Sequence, residues 1–266
     1  MEREHNSSKQ SKRSLKNKAI SRELLRLHGR YPTLGLDPLH QMLKPLFGVS
    51  RKRVWRLKSQ LRIRSTRHKA YKRTTNSNHS NPIAPNLIGR KFRAAKPNQV
   101  WVSDITYLPT GEGWLYFAAI KDLFLKKVVG YAFSDRINTQ LCLDALNMAV
   151  NRQRPKPGLI FHSDRGAQYA SSSFRHALFI QGFVQSMSRK GDPYDNAVAE
   201  NFFSCLKCEC VHLHHFATRE DAKLAVFSYI ETFYNRVRPH SGIGWLAPNA
   251  FERILTEDFG GDRIAV

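Results

Sequence analysis

The stretch Val100-Trp101-Val102-Ser103-Asp104-Ile105-Thr106-Tyr107-Leu108 is rich in β-branched and aromatic residues and reads as a strand with one acid inside it. Two more strand-like runs follow directly, Trp114 to Leu123 and Lys127 to Phe133. Thr139 to Arg152 then shows helical periodicity, with Leu141, Ala145, Met148 and Ala149 on one side. Gly158 to Ser163 predicts a fourth strand, Ser171 to Gln181 a helix closed by Gly182, and Phe183 to Ser188 a fifth strand. Ser188 to Tyr194, polar with Gly191 and Pro193, predicts a loop. Asp195 is placed to cap a helix that carries Glu200 and runs past Leu206, and Arg219 to Asn235 predicts another helix. Three successive strands with short connections imply a meander. The later alternation implies parallel additions. The fold class is therefore α/β, a mixed five-stranded sheet flanked by helices.

Three carboxylates stand out on this framework. Asp104 lies on the first strand, and Asp164 follows the fourth in Phe161-His162-Ser163-Asp164-Arg165-Gly166. Glu200 lies on the helix after the fifth, in Asp195-Asn196-Ala197-Val198-Ala199-Glu200-Asn201. All three can meet at one edge of the sheet. Converging carboxylates suit a hard divalent cation, and in a basic protein that cation suggests work on nucleic-acid phosphates. Asp122, Asp135, Asp192 and Asp195 are the rival acids. Taken singly, Asp104 also fits a strand carboxylate hydrogen-bonded by Ser103 or Thr106, Asp164 a turn residue, and Glu200 a solvated helix residue. His162 fits either a group supporting the acids or a packed strand-end histidine.

The 266 residues carry a net charge of +22 and a pI near 10.2. Residues 1–75 hold 21 Lys/Arg and only 4 Asp/Glu, a net of +17. This imbalance calls for a polyanionic partner. No run is apolar enough to span a membrane, and the basic N-terminus lacks the apolar core of a secretory signal. Four cysteines, three crowded at 205, 208 and 210, do not form a disulfide framework, so a reducing cytoplasm is expected. Cys205, Cys208 and Cys210 with His212, His214 and His215 raise zinc as an alternative to helix packing.

The N-terminal part predicts a disordered basic tail over 1–18 and a small helical, helix-turn-helix-like DNA-binding module over 19–63. Ile20 to Leu27 and Leu39 to Phe47 are its first helices, with Pro45 expected to kink or end the second. Gly48-Val49 makes the turn, and Ser50 caps a helix whose Val54, Leu57 and Leu61 share one face. Arg51, Lys52, Arg53 and Arg56 are the candidate DNA contacts, and Trp55 is expected in the module core. A basic linker spans 64–98, the α/β core with C-terminal helices 99–256, and a tail 257–266.

Together these segments resemble a known family. Pro97 to Tyr107, His162 to Tyr169, Asp195 to Phe203, and Tyr234-Asn235-Arg236-Val237-Arg238-Pro239-His240-Ser241-Gly242 are similar to the ribonuclease-H-like core of retroviral integrases and DDE transposases. The nearest resemblance is to the second-reading-frame proteins of bacterial insertion sequences of the IS-three family. The tract Tyr31 to Pro38 differs from that family's usual Tyr-Gly-Tyr-Arg-Arg-Ile, and Ala167 stands where Ser is common.

The resemblance implies that Asp104, Asp164 and Glu200 are the catalytic and metal-binding triad, holding two Mg²⁺ ions with Mn²⁺ a possible substitute. Asp104 would bridge them, and Asp164 and Glu200 would each hold one. Lys207, two helical turns after Glu200 and on the same face, would meet a phosphate. The implied reaction is cleavage at the element ends by water, then transfer of the freed 3′-OH strand to target DNA. Implied partners are DNA, other copies of the chain, and an upstream-frame protein joined by frameshifting, in the bacterial nucleoid. Two alternatives are a non-catalytic DNA-binding regulator derived from a transposase and a ribonuclease-H-like nuclease. Tyr234, Arg236, Arg238 and His240 fit either DNA contact or bracing of the catalytic helix.

Overall fold

A computed structural model describes residues 11–66, 80–90, 92–189 and 197–260. The chain divides into two compact units, Met1–His68 and Lys69–Val266.

In the first unit, α1 (Lys12–Arg30), α2 (Leu36–Phe47) and α3 (Arg51–Gln60) pack around Ile20, Leu24, Leu27, Leu39, Leu43, Val54 and Leu57. The first helix begins well before the expected Ile20 and takes in residues assigned to a disordered tail. Ser11 caps it by accepting the Ser14 N–H at 3.2 Å, and the following Lys- and Ala-containing turns are compatible with helix. Pro45 does not end α2, which runs on to Phe47 and stops at the left-handed Gly48 (φ 55°). Ser50 caps α3 through the Arg53 N–H, as expected.

Trp55 departs from expectation. It is 56% exposed, because Val54 and Leu57 occupy the inward face of α3 and position 55 lies about 100° around the helix from Val54. Arg53 is drawn back onto α1, where its Nε donates to Asn17 Oδ1 at 2.9 Å.

The second unit holds the five-stranded sheet. Its strands are β1 (Val100–Thr110), β2 (Gly113–Asp122), β3 (Val128–Ser134), β4 (Ile160–Ser163) and β5 (Val184–Met187), in the order β3-β2-β1-β4-β5. The first three form the antiparallel meander, and β4 and β5 add in parallel beside β1. One face packs on α4 (Thr139–Gln153) and on α5 (Ala167–Ala170) with α6 (Ser172–Ile180). Trp101, Ile105, Ala118, Ile120, Leu141, Ala145, Phe161, Tyr169 and Phe174 make that core. Gly130 lets α4 approach β3: a Cβ there would meet the Ala145 carbonyl oxygen and stand 2.7 Å from Ala149 Cβ. The single helix expected over Ser171–Gln181 is preceded by the short α5, with Ser171 capping α6 through Phe174 N.

The other face carries Val100, Val102 and Leu123, and α7 (Ala197–Glu209) lays Ala199 onto them. The expected helix from Arg219 to Asn235 is α-helical only as α8 (Arg219–Ser228). Tyr229–Tyr234 then widens to i→i+5 bonding, as in Asn235 N to Ile230 O at 3.0 Å. That wider turn puts Tyr229, Ile230, Phe233 and Tyr234 all inward. The last helix, α9 (Pro248–Gly260), continues four residues past the expected core boundary at 256. The expected cap Asp195, the rival Asp192 and the loop around Gly191 and Pro193 lie outside the described residues.

Candidate active site

Strand register brings the first two carboxylates together. The parallel pairing of β1 and β4 ends with Val102 opposite His162. Asp104 and Asp164 each lie two residues beyond that last pair, on strands about 4.8 Å apart where they pair. Two residues is one full side-chain period, so both acids nominally continue the face of Val102 and His162. Among the described residues no strand pairs with the outer edge of β1 beyond Val102. The result is a crevice at the carboxyl ends of two parallel strands, a recurrent site of chemistry in open α/β sheets. The third acid arrives from above. Ala199 anchors α7 over Val100 and Val102, Phe203 meets Phe117 at 6.0 Å, and Glu200 is carried beside them.

The electrostatics agree with this convergence. Asp104 is buried, and burial pushes its carboxyl well above the usual range. Asp164 and Glu200 push it further up, while the Ile105 N–H (2.8 Å to Oδ1) and Lys207 oppose them. Lys207 is itself lowered by burial and held up by Asp104. Asp164 Oδ1 accepts the Gly166 N–H at 2.9 Å, which fixes the turn after β4. The side chains of Asp104, Asp164, Glu200 and Lys207 thus share one electrostatic environment. Among the described residues, however, no three Asp, Glu, His or Cys groups stand at metal-ligand spacing.

The rivals have other duties. Asp122 is buried and accepts the N–H groups of Asn98 (2.7 Å), Phe124 and Leu125 (2.8 Å each), tying the β2–β3 turn. Asp135 is exposed beside Arg136. Ser103 does not serve Asp104; its hydroxyl pairs with Tyr169 OH at 2.8 Å on the opposite face. His162 is fully buried between the hydroxyls of Ser186 (2.9 Å) and Ser188 (3.4 Å), so it packs β4 against β5.

The C-terminal motif braces α7. Arg238 forks onto Glu209 at 2.7 and 2.8 Å and also donates to Cys205 Sγ at 3.4 Å, and Tyr229 OH donates to Glu209 Oε2 at 2.8 Å. Tyr234 meets Phe202 of α7 edge to face at 5.0 Å, and His240 packs on Tyr234 at 4.8 Å. Asn235 exchanges two 3.0 Å bonds with the Val128 backbone, extending the grip to β3. Arg236 is exposed. Cys205 and Cys210 are free thiols used in packing, Cys210 against the Ala225 carbonyl. Glu209 and Tyr229 carry no local sequence signal, because Glu209 pairs with Arg238 across 29 residues and with Tyr229 across 20.

In the first unit, Lys52 and Arg56 are exposed on α3, whereas Arg51 pairs with Asp37 at 2.5 Å and Arg53 faces α1.

Comparison with known proteins agrees with this architecture. Two integrase core domain families match, over residues 94–193 and 181–248. The chain is 47% identical over 203 residues to a 31 kDa protein of insertion element IS600 from Shigella sonnei, covering 76% of this chain and 75% of that protein. It is also 47% identical to the transposase for insertion sequence element IS904 of Lactococcus lactis, covering 64% of this chain and 67% of the relative.

The chain belongs to the IS3-family insertion-sequence transposases. The transposase InsF of IS3A from Escherichia coli shares the same 47% identity over 65% of this transposase and 60% of its own length. A simian T-cell lymphotropic virus intasome, solved in complex with a PP2A regulatory subunit, shares the fold at 16% identity, with a TM-score of 0.51 over 87% of this chain and 73% of that one. Family membership makes the transposase a polynucleotidyl transferase of DNA transposition and integration.

Proposed function

We propose that Asp104, Asp164 and Glu200 are the catalytic triad, that they hold divalent metal, and that they cut DNA at the element ends and join the freed 3′-OH to target DNA. The observation that carries this reading is the parallel register of β1 and β4, whose last pair, Val102 and His162, lies two residues before Asp104 and Asp164. The donors fit the metal chemically: three carboxylates with hard oxygen ligands, one of them raised by burial and by its two neighbours, are a site whose charge a dication relieves. Bound Mg²⁺ would polarise the phosphodiester, lower the pKa of the attacking hydroxyl and neutralise the leaving oxygen. The protein supplies the rest. The crevice between β1 and β4 admits the phosphodiester, and Lys207 offers its ammonium to a neighbouring phosphate oxygen. The brace of Arg238 on Glu209 keeps Glu200 in place. No side chain acts as nucleophile, so the same site can serve water first and a DNA 3′-OH second.

Lys52 and Arg56, with the surrounding basic surface of the first unit, hold the DNA. An element has two ends, so joining both to one target calls for copies acting together. Asp104→Asn removes one carboxylate while keeping the volume. It is expected to lower strand transfer of end-containing oligonucleotides in Mg²⁺ by at least a hundredfold while DNA binding, read by fluorescence anisotropy, stays within about twofold. Strand transfer at the wild-type rate would remove the triad assignment.

A further inference from the structure

We propose that Tyr107 and Trp114 form a stacking platform for an unpaired DNA base beside the carboxylates. The proposal rests on the triad reading only for where the DNA lies.

Tyr107 stands three residues beyond Asp104 on β1, about 10 Å along the strand, and by strand alternation leaves the backbone on the Ser103 face rather than on that of Asp104. Lys207 bridges the interval: its Nζ lies 5.2 Å from the Tyr107 ring centroid, and the same ammonium interacts with Asp104. Trp114 meets Tyr107 edge to face, with centroids 4.7 Å apart and planes at 79°. Trp114 remains 48% exposed, whereas Leu108, Leu115 and Phe117 of the same two strands are fully buried.

The hairpin beneath this pair is held firmly. Gly111 N donates to Phe216 O at 2.9 Å, Arg219 N to Glu112 Oε2 at 2.8 Å, and Arg219 Nε to the Trp114 carbonyl at 3.2 Å. The approach is tight, since a Cβ on Gly111 would lie 2.5 Å from the Ala217 carbonyl oxygen. An exposed indole on a fixed hairpin presents a ring face at little entropic cost. Lys207 and Arg219 flank it with positive charge suited to the phosphates on either side of a nucleotide. Bases inside a duplex offer no free face, so the occupant is an unpaired base. Because every base has such a face, the platform is indifferent to sequence.

The experiment uses the full-length protein, in chelator to prevent cleavage and at raised salt to weaken general electrostatic binding. The probe is a duplex ending in a single-stranded flap that carries 5-iodouridine, irradiated and mapped by mass spectrometry. Crosslinks are expected on the peptides holding Tyr107 or Trp114 with the flap and not with a blunt duplex of the same sequence. Trp114→Phe should keep them, and Trp114→Leu, which keeps apolar bulk without a ring, should reduce the yield roughly tenfold. Crosslinks confined to other peptides, or equal yields for the Phe and Leu variants, would overturn the proposal. Asp104→Asn should crosslink like the wild type, so failure of the platform and failure of the triad are separable.

Discussion

At the scale of single residues, two buried charged groups face α7 from neighbouring strands with different consequences. Asp104 is raised by burial and by Asp164 and Glu200, so a positive charge beside it would relieve the strain of ionising it. Lys121 lies opposite Val102 on β2, buried, with its Nζ 5.7 Å from the Tyr234 ring. Burial lowers its pKa to about 7, and Lys126 and Arg238 push the same way against Cys205. A lysine with a depressed folded pKa stabilises the protein least at low pH. The penalty is complete below about 7 and fades as pH rises toward the ordinary lysine value. Lys121→Met should therefore raise stability by a few kcal/mol, about 5 at most, near pH 6, and by progressively less between pH 7 and 10. Urea melts at several pH values will show this, and a gain that grew with pH would contradict it.

At the scale of elements, α7 matters most, because it carries Glu200 and Lys207 and is held at its far end by the Glu209–Arg238 pair. Both partners are largely buried, at 10% and 16% side-chain exposure, so removing one strands the other in a poor solvent. Arg238→Met is expected to cost about 3–5 kcal/mol in urea denaturation. Lys in place of Arg238 keeps the charge but loses the fork and should recover only part of that. The widened helical segment Tyr229–Tyr234 belongs to the same device, since it aims Tyr229 at Glu209 and Tyr234 at Phe202. The motif that fitted either DNA contact or a brace is thus a brace at Tyr234, Arg238 and His240.

At the scale of the whole molecule, charge and chemistry are divided between the two units. Most of the +17 of residues 1–75 lies in the first, and the converging acids lie in the second. Each phosphate contact releases counterions, so DNA affinity of the full chain should fall steeply between about 50 and 200 mM salt. A chain lacking residues 1–68 should keep a cooperative melt and lose most of that salt dependence in anisotropy titrations. An unchanged slope would move the DNA-holding role to the core.

The succession of strands and helices, the placement of the three acids along the chain and the charge asymmetry were all legible in the sequence; the order of strands across the sheet was not. Periodicity and composition are local properties, and the acids sit in strongly patterned segments. Element edges were less legible. A cap at Ser11 and inward aromatics at Tyr229 and Tyr234 shifted helix limits that propensity alone does not set. Trp55 lies exposed rather than in the core because a short amphipathic pattern does not say how far around a helix the buried face reaches. Only the tertiary structure decided that the β1–β4 pairing ends two residues before both Asp104 and Asp164, that Arg238 grips Glu209, and that Trp114 stays exposed beside Tyr107, whose ring Lys207 approaches. Each of these joins residues far apart in the chain, and such contacts are fixed by strand register and helix docking rather than by local sequence.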